Sequence, residues 1–156
     1  MFFSLNRIIF FIVLILSGCS ASVIENNNSV EKVKKPQNTV GYFYIGGFTG
    51  NSYAVKISGL SINYSVMRGG KVLKSRNIKL TASELIKFET NLKSLGVMSW
   101  SSNYSNPRIL DGTNWIAKYK SKNFAINSKG KNNYPKNFKI FKSLISKELL
   151  KGLNFQ

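Results

Sequence analysis

Three kinds of side chain in these 156 residues could carry covalent or acid/base chemistry: one thiol, a few serine–lysine pairs and six carboxylates. Cys19 is the single cysteine, which excludes an internal disulfide and any multi-cysteine metal site. Ser29-x-x-Lys32 and Ser128-x-x-Lys131 have the spacing of a serine nucleophile and a lysine base. The first falls in a polar linker and the second in an expected turn. With 23 lysines and arginines in the chain, such pairs arise readily by chance.

The acidic residues are Glu25, Glu31, Glu84, Glu89, Asp111 and Glu148, scattered so that no two sit at the spacing of an acid/base pair. Asp111 precedes Gly112 and reads as a turn residue, and Glu84 stands where it would cap a helix. The chain has no histidine, which removes the usual general base, the commonest metal ligand and any Ser-His or Cys-His pair. Gly46-Gly47 and Gly69-Gly70 lack the spacing of a dinucleotide fingerprint or a phosphate loop. The expectation is a non-enzymatic protein with no catalytic residue, metal ligand or bound cofactor.

Cys19 gains meaning from what precedes it. Arg7 and the initiator amine give a positive start, and Ile8 to Leu16 is an unbroken apolar run. As a helix that run covers about 14 Å, half of a bilayer core, so it suits a signal segment and is too short to span. It ends in Leu16-Ser17-Gly18-Cys19, which resembles the lipobox of bacterial lipoproteins at every position. The resemblance implies cleavage between Gly18 and Cys19, a diacylglyceryl group on the Cys19 sulfur and acylation of the new amine. Several acyl chains together anchor stably where one would bind marginally. In a Gram-negative envelope, Ser20 after the cysteine is similar to the pattern of outer-membrane lipoproteins facing the periplasm.

The charge is lopsided, with a formal net of +17, and loss of residues 1–18 would remove Arg7 alone among the charged side chains. Such a field attracts phospholipid head groups, lipopolysaccharide, wall polymers or nucleic acid, and weakens with salt. The wealth of Asn, Lys and Ile also fits an AT-rich coding bias. Tyr42-Phe43-Tyr44, Tyr53-Ala54-Val55-Lys56 and Lys118-Tyr119-Lys120 interleave rings with cations, a pattern that can serve bases or sugars but more often marks one face of a core. For an exported chain, nucleic acid is an unexpected partner.

Three segments are expected: a signal peptide over 1–18, a flexible polar tether over 19–38 and one domain over 39–156. In the domain, 40–45, 53–57 and 60–67 read as strands, and Arg68-Gly69-Gly70-Lys71 as a tight hairpin returning along 72–80. Thr81-Ala82-Ser83-Glu84 has capping-box spacing, and Leu85, Phe88, Leu92 and Leu95 then share one face of a helix over 82–95, ended by Gly96. A strand over 97–100, a loop over 101–106, strands over 115–119 and 124–126, and a turn at 130–133 follow. Pro135 opens a basic helix with Phe138, Phe141, Ile145 and Leu149 on one side. The fold class expected is α+β: an antiparallel sheet with two helices packed on one face, in the order strands, helix, strands, helix.

Asp111-Gly112-Thr113-Asn114-Trp115 and Tyr134-Pro135-Lys136-Asn137-Phe138 are similar to stretches of small uncharacterised envelope lipoproteins. That likeness implies a short α+β domain and carries no functional residue across. Together these features point to a lipid-anchored envelope protein, either a binding or inhibitor-type module for an envelope partner or a structural protein that binds polyanions.

Overall fold

The computed structural model describes residues 38–108 and 111–156. The lipobox with Gly18 and Cys19, the tether as far as residue 37, and Ser29-x-x-Lys32 lie outside the described residues.

Alternation of apolar and polar residues builds a sheet from the start. β1 (Val40–Gly46), β2 (Ser52–Ser58), β3 (Ser61–Arg68) and β4 (Lys71–Lys79) form an antiparallel meander. The β3–β4 hairpin turns on Gly69 and Gly70, at φ of 54° and 77°. Two successive positive φ angles define the tight loop that matches strand twist, and glycine adopts them without a Cβ clash. After α1 (Ala82–Ser94) come β5 (Asn103–Ser105), β6 (Asn114–Lys120), β7 (Ala125–Lys131) and α2 (Phe138–Leu144). Seven strands lie in the order β4-β3-β2-β1-β6-β7-β5, so β1 is central although it comes first in the chain.

Register decides which side chains share a face. Phe43 pairs with Val55 and Ala117, and Val55 with Tyr64. All four are buried. Phe43 meets Phe88 of α1 at 6.2 Å and Phe141 of α2 at 5.4 Å, both edge-on. Leu85, Leu92, Ile145 and Leu149 are fully buried and complete this layer. Each such side chain contributes about 1.5–3 kcal/mol of burial. The chain tail is tied to the same layer, since the Tyr64 hydroxyl donates to the Asn154 carbonyl at 2.7 Å and the Phe155 amide to the Ser146 hydroxyl at 3.1 Å.

The fold is α+β with a mostly antiparallel sheet, and it corrects the expected arrangement in several places. Residues 97–99 are not a strand but a 3₁₀ turn, Val97–Ser99, entered through Gly96 at φ 74°. Three apolar residues and a serine are too few to separate the two periods. The turn buries Val97 and swings Trp100 against Phe141, at 5.0 Å. Part of the expected loop at 101–106 is β5, which enlarges the sheet with a parallel edge against β7. β7 runs through Gly130 and Lys131, where a turn was expected. The helical part differs too: the second helix starts at Phe138, three residues after Pro135, and passes into a π-helical turn, Ile145–Leu149.

Candidate functional site

The residues that could have done chemistry are mostly engaged in the fold. Glu84 closes the capping box of α1: its amide donates to the Thr81 hydroxyl at 3.2 Å, and the Thr81 amide donates to Glu84 Oε2 at 2.7 Å. Lys151 lies 3.2 Å from the other carboxylate oxygen. These hydrogen bonds, the Thr81 amide first, hold the Glu84 carboxyl below the usual glutamate range. Buried Glu89 accepts from the Tyr119 hydroxyl at 2.6 Å, and Glu148 accepts from Asn91 Nδ2 at 2.7 Å. Asp111 is exposed, and its carbonyl accepts from Asn132 Nδ2 at 3.1 Å. The four described carboxylates are therefore not gathered into one site.

Ser128 lies in β7, not in the turn expected from the sequence, and is buried. Its hydroxyl donates to the Ser101 carbonyl at 2.6 Å. Lys131 stands three residues along the same strand, an odd offset that places it on the opposite sheet face. The spacing that suits a helix does not bring these two groups together in a strand. No group of three or more potential metal ligands occurs among the described residues.

Two surfaces remain as candidates. At one end of the sheet, a cleft of about 630 Å³ opens between the β1–β2 loop and α2. Its lining includes apolar Ile45 and Phe138, the hydroxyls of Thr49 and Thr113, and Lys136, Lys139 and Lys142. Among the described residues no carboxylate pairs with these three lysines. Phe48 lies between cleft residues Gly47 and Thr49 and is 90% exposed. Asn132 holds the neighbouring loop: its side-chain oxygen accepts from the Thr113 amide at 2.8 Å while its amide group holds Asp111.

The second surface is the sheet face opposite Phe43. Tyr42 and Tyr44 stand two apart on β1, half-buried, with ring centroids 6.5 Å apart and planes 14° from parallel. Tyr42 pairs across strands with Lys56 on one side and Lys118 on the other, and Lys118 with Asn127. Tyr44 pairs with Ile116, and Ile116 with Lys129. Lys56, Lys118 and Lys129 are exposed. Asn63 adjoins Lys56 and donates to Asn77 at 2.8 Å, extending the face with amides. None of the seven strands contains an aspartate or glutamate.

The sequence pattern does not mark the cleft, and of the second surface it marks only the interleaving of Tyr42, Tyr44, Lys56 and Lys118, not the shared face. Gly46 to Asn51 reads as a turn, and nothing in its pattern says that its apolar residue stays outside. Of the two readings open for Tyr42-Phe43-Tyr44, one face of a core or rings that stack on bases or sugars, alternation along β1 gives the core to Phe43 and leaves the tyrosines on the other side. No family model, curated protein or solved structure matches the chain.

Proposed function

We propose that the chain is a membrane-anchored envelope lipoprotein, held by lipid on Cys19, whose folded domain is a non-enzymatic binding or inhibitor-type module for an envelope partner. The observation that supports it most is Phe48, a large apolar side chain 90% exposed on a loop beside the lysine-rimmed cleft. Aromatic side chains are enriched at the buried centre of protein interfaces, where a few residues carry most of the binding energy. The binding role is further supported by the engagement of Glu84, Glu89, Glu148 and Ser128 in structural hydrogen bonds. A Gram-negative host would place the domain on the periplasmic side of the outer membrane.

The full chain, solubilised from host membranes in neutral detergent, is captured and washed in parallel at low and high salt. A partner protein that survives high salt with the parent chain and is lost with Phe48→Ala supports the module. Retention that ignores Phe48 and vanishes in salt overturns it. Labelled fatty acid should enter the parent chain and not Cys19→Ser, and equal labelling would remove the anchor from the proposal.

A second reading, polyanion binding, is favoured by a separate observation: the acid-free sheet with its exposed lysines.

A further inference from the structure

We infer that the open sheet face is a binding platform for an anionic polysaccharide, with sugar rings against Tyr42 and Tyr44 and the polymer's acidic groups on Lys56, Lys118 and Lys129. This inference rests on the polyanion reading and names its ligand. It concerns a different surface from the Phe48 cleft.

Three properties of the face select the ligand class. The first is charge. Lys56 and Lys118 flank Tyr42 on adjacent strands, and Lys129 lies one strand beyond Ile116, in the row of Tyr44. No strand supplies a carboxylate to neutralise them. Strands are about 4.8 Å apart, so the three ammonium groups are spread along the face and fit a chain of repeated charges better than one compact anion.

The second is the ring pair. Tyr42 and Tyr44 are part-exposed at the centre of the face, and Tyr44 is fixed by a 3.2 Å hydrogen bond from its hydroxyl to Ser52. Fixed rings lose little conformational entropy when another ring packs on them. Polyglutamate or polyphosphate has no ring to place there.

The third is the polar surround. Asn63, Asn77 and Asn127 carry amides that both donate and accept, and Ser65 adds a hydroxyl. Such groups match sugar hydroxyls. Around the tyrosine pair, β1, β2, β6 and β7 offer lysines as point charges and none of the arginine forks that give bidentate phosphate recognition. That favours a carboxylated glycan over a nucleic acid.

The test uses the full chain in neutral detergent with four probes: polygalacturonate, neutral dextran, polyglutamate matched in charge and length, and a single-stranded oligonucleotide. The expected order is polygalacturonate at least tenfold tighter than polyglutamate or the oligonucleotide, with no binding to dextran. Lys56→Gln with Lys118→Gln should weaken polygalacturonate at least tenfold and flatten its salt dependence. Tyr42→Leu should erase the preference over polyglutamate, while Lys87→Gln with Lys147→Gln, exposed and away from both surfaces, changes neither. The lysines are exposed, so these variants keep the fold, which circular dichroism verifies. Equal binding of polygalacturonate and polyglutamate overturns the glycan assignment and leaves polyanion binding standing. A tighter oligonucleotide also overturns it, and no binding to any polyanion removes both.

Discussion

The Tyr119 hydroxyl donates to a Glu89 carboxylate oxygen 2.6 Å away, joining β6 to α1 inside the core. Tyr119 stacks on Phe43 at 6.2 Å and meets Phe88 edge-on at 6.0 Å, so the bond is enclosed by rings. Tyr119→Phe would leave the Glu89 carboxylate buried without this donor. A loss of about 1–3 kcal/mol in urea unfolding is expected. Glu89→Gln keeps an acceptor for the hydroxyl and should cost less. The reverse order would show that the pair does not stabilise the fold in this way.

The same pair sets a response to alkali. Burial, then the hydrogen bond to Glu89 and its charge, push the Tyr119 hydroxyl far above its ordinary value of 10.0. A raised folded pKa gives stability that is complete below the unfolded value and is lost as pH rises beyond it. The urea midpoint should therefore hold to about pH 10 and fall above it. Burial also raises Tyr42 and Tyr64, so Tyr119→Phe should remove part of the slope. An unchanged slope would assign the response elsewhere.

Thr81→Ala removes the hydroxyl that receives the Glu84 amide, at an expected cost of about 1 kcal/mol. The folded pKa of Glu84 is lowered, so its contribution is present above the ordinary glutamate value and is lost as acid protonates it. Glu84→Gln should accordingly flatten the acid limb of stability. A limb as steep as the parent's would exclude the capping carboxylate as its source.

How much of this was legible depended on whether a signal was local. The Thr81–Glu84 box and the Gly69-Gly70 hairpin are local chemistry, and both occupy the places expected. The strand expected over 97–100 is a 3₁₀ turn because one buried Val and one Trp satisfy either period, and the choice is made by Trp100 packing on Phe141. β5 has three residues and no pattern of its own, so it exists through pairing with a distant strand. The face that Tyr42, Lys56 and Lys118 share was hidden for the same reason, although their interleaving was visible. Which side of Tyr42 is wet depends on where α1 and α2 pack, and the spacing of Ser128 and Lys131 says nothing until the segment is known to be a strand.

Gly130 tests that distant pairing. It is buried opposite Tyr104, and a Cβ there would meet the Tyr104 carbonyl at 2.5 Å as well as the indole nitrogen of Trp115. Gly130→Ala must displace one of them, and the expected loss is about 1–3 kcal/mol, as for overpacked cores. Hydrogen exchange should rise first in β5. A variant as stable as the parent, with β5 still protected, would show that the contact yields easily.

Asn132 bears more of the 111–113 loop than Asp111 does. It holds φ 52°, accepts from the Thr113 amide at 2.8 Å and donates to the Asp111 carbonyl at 3.1 Å. Asn132→Ala loses both bonds and keeps the costly backbone angle, so about 1–3 kcal/mol is expected. Asp111→Ala should change stability by less than about 0.5 kcal/mol, because its exposed carboxylate is not what the loop uses. Equal effects would contradict this division.

Phe43 and Phe48 are five residues apart and should behave oppositely. Phe43 is fully buried between Phe88 and Phe141, so Phe43→Ala opens a cavity and should cost about 3–5 kcal/mol in thermal or urea unfolding. Phe48 is 90% exposed, and Phe48→Ala should shift stability by less than about 0.5 kcal/mol. A partner that uses Phe48 as an anchor should then lose at least tenfold in affinity for a domain that is as stable as before. Were Phe48→Ala to destabilise the free protein, the ring would be part of the loop's own packing and the binding effect would lose its meaning. The two measurements on one variant thus separate a side chain kept for the fold from one kept for a partner.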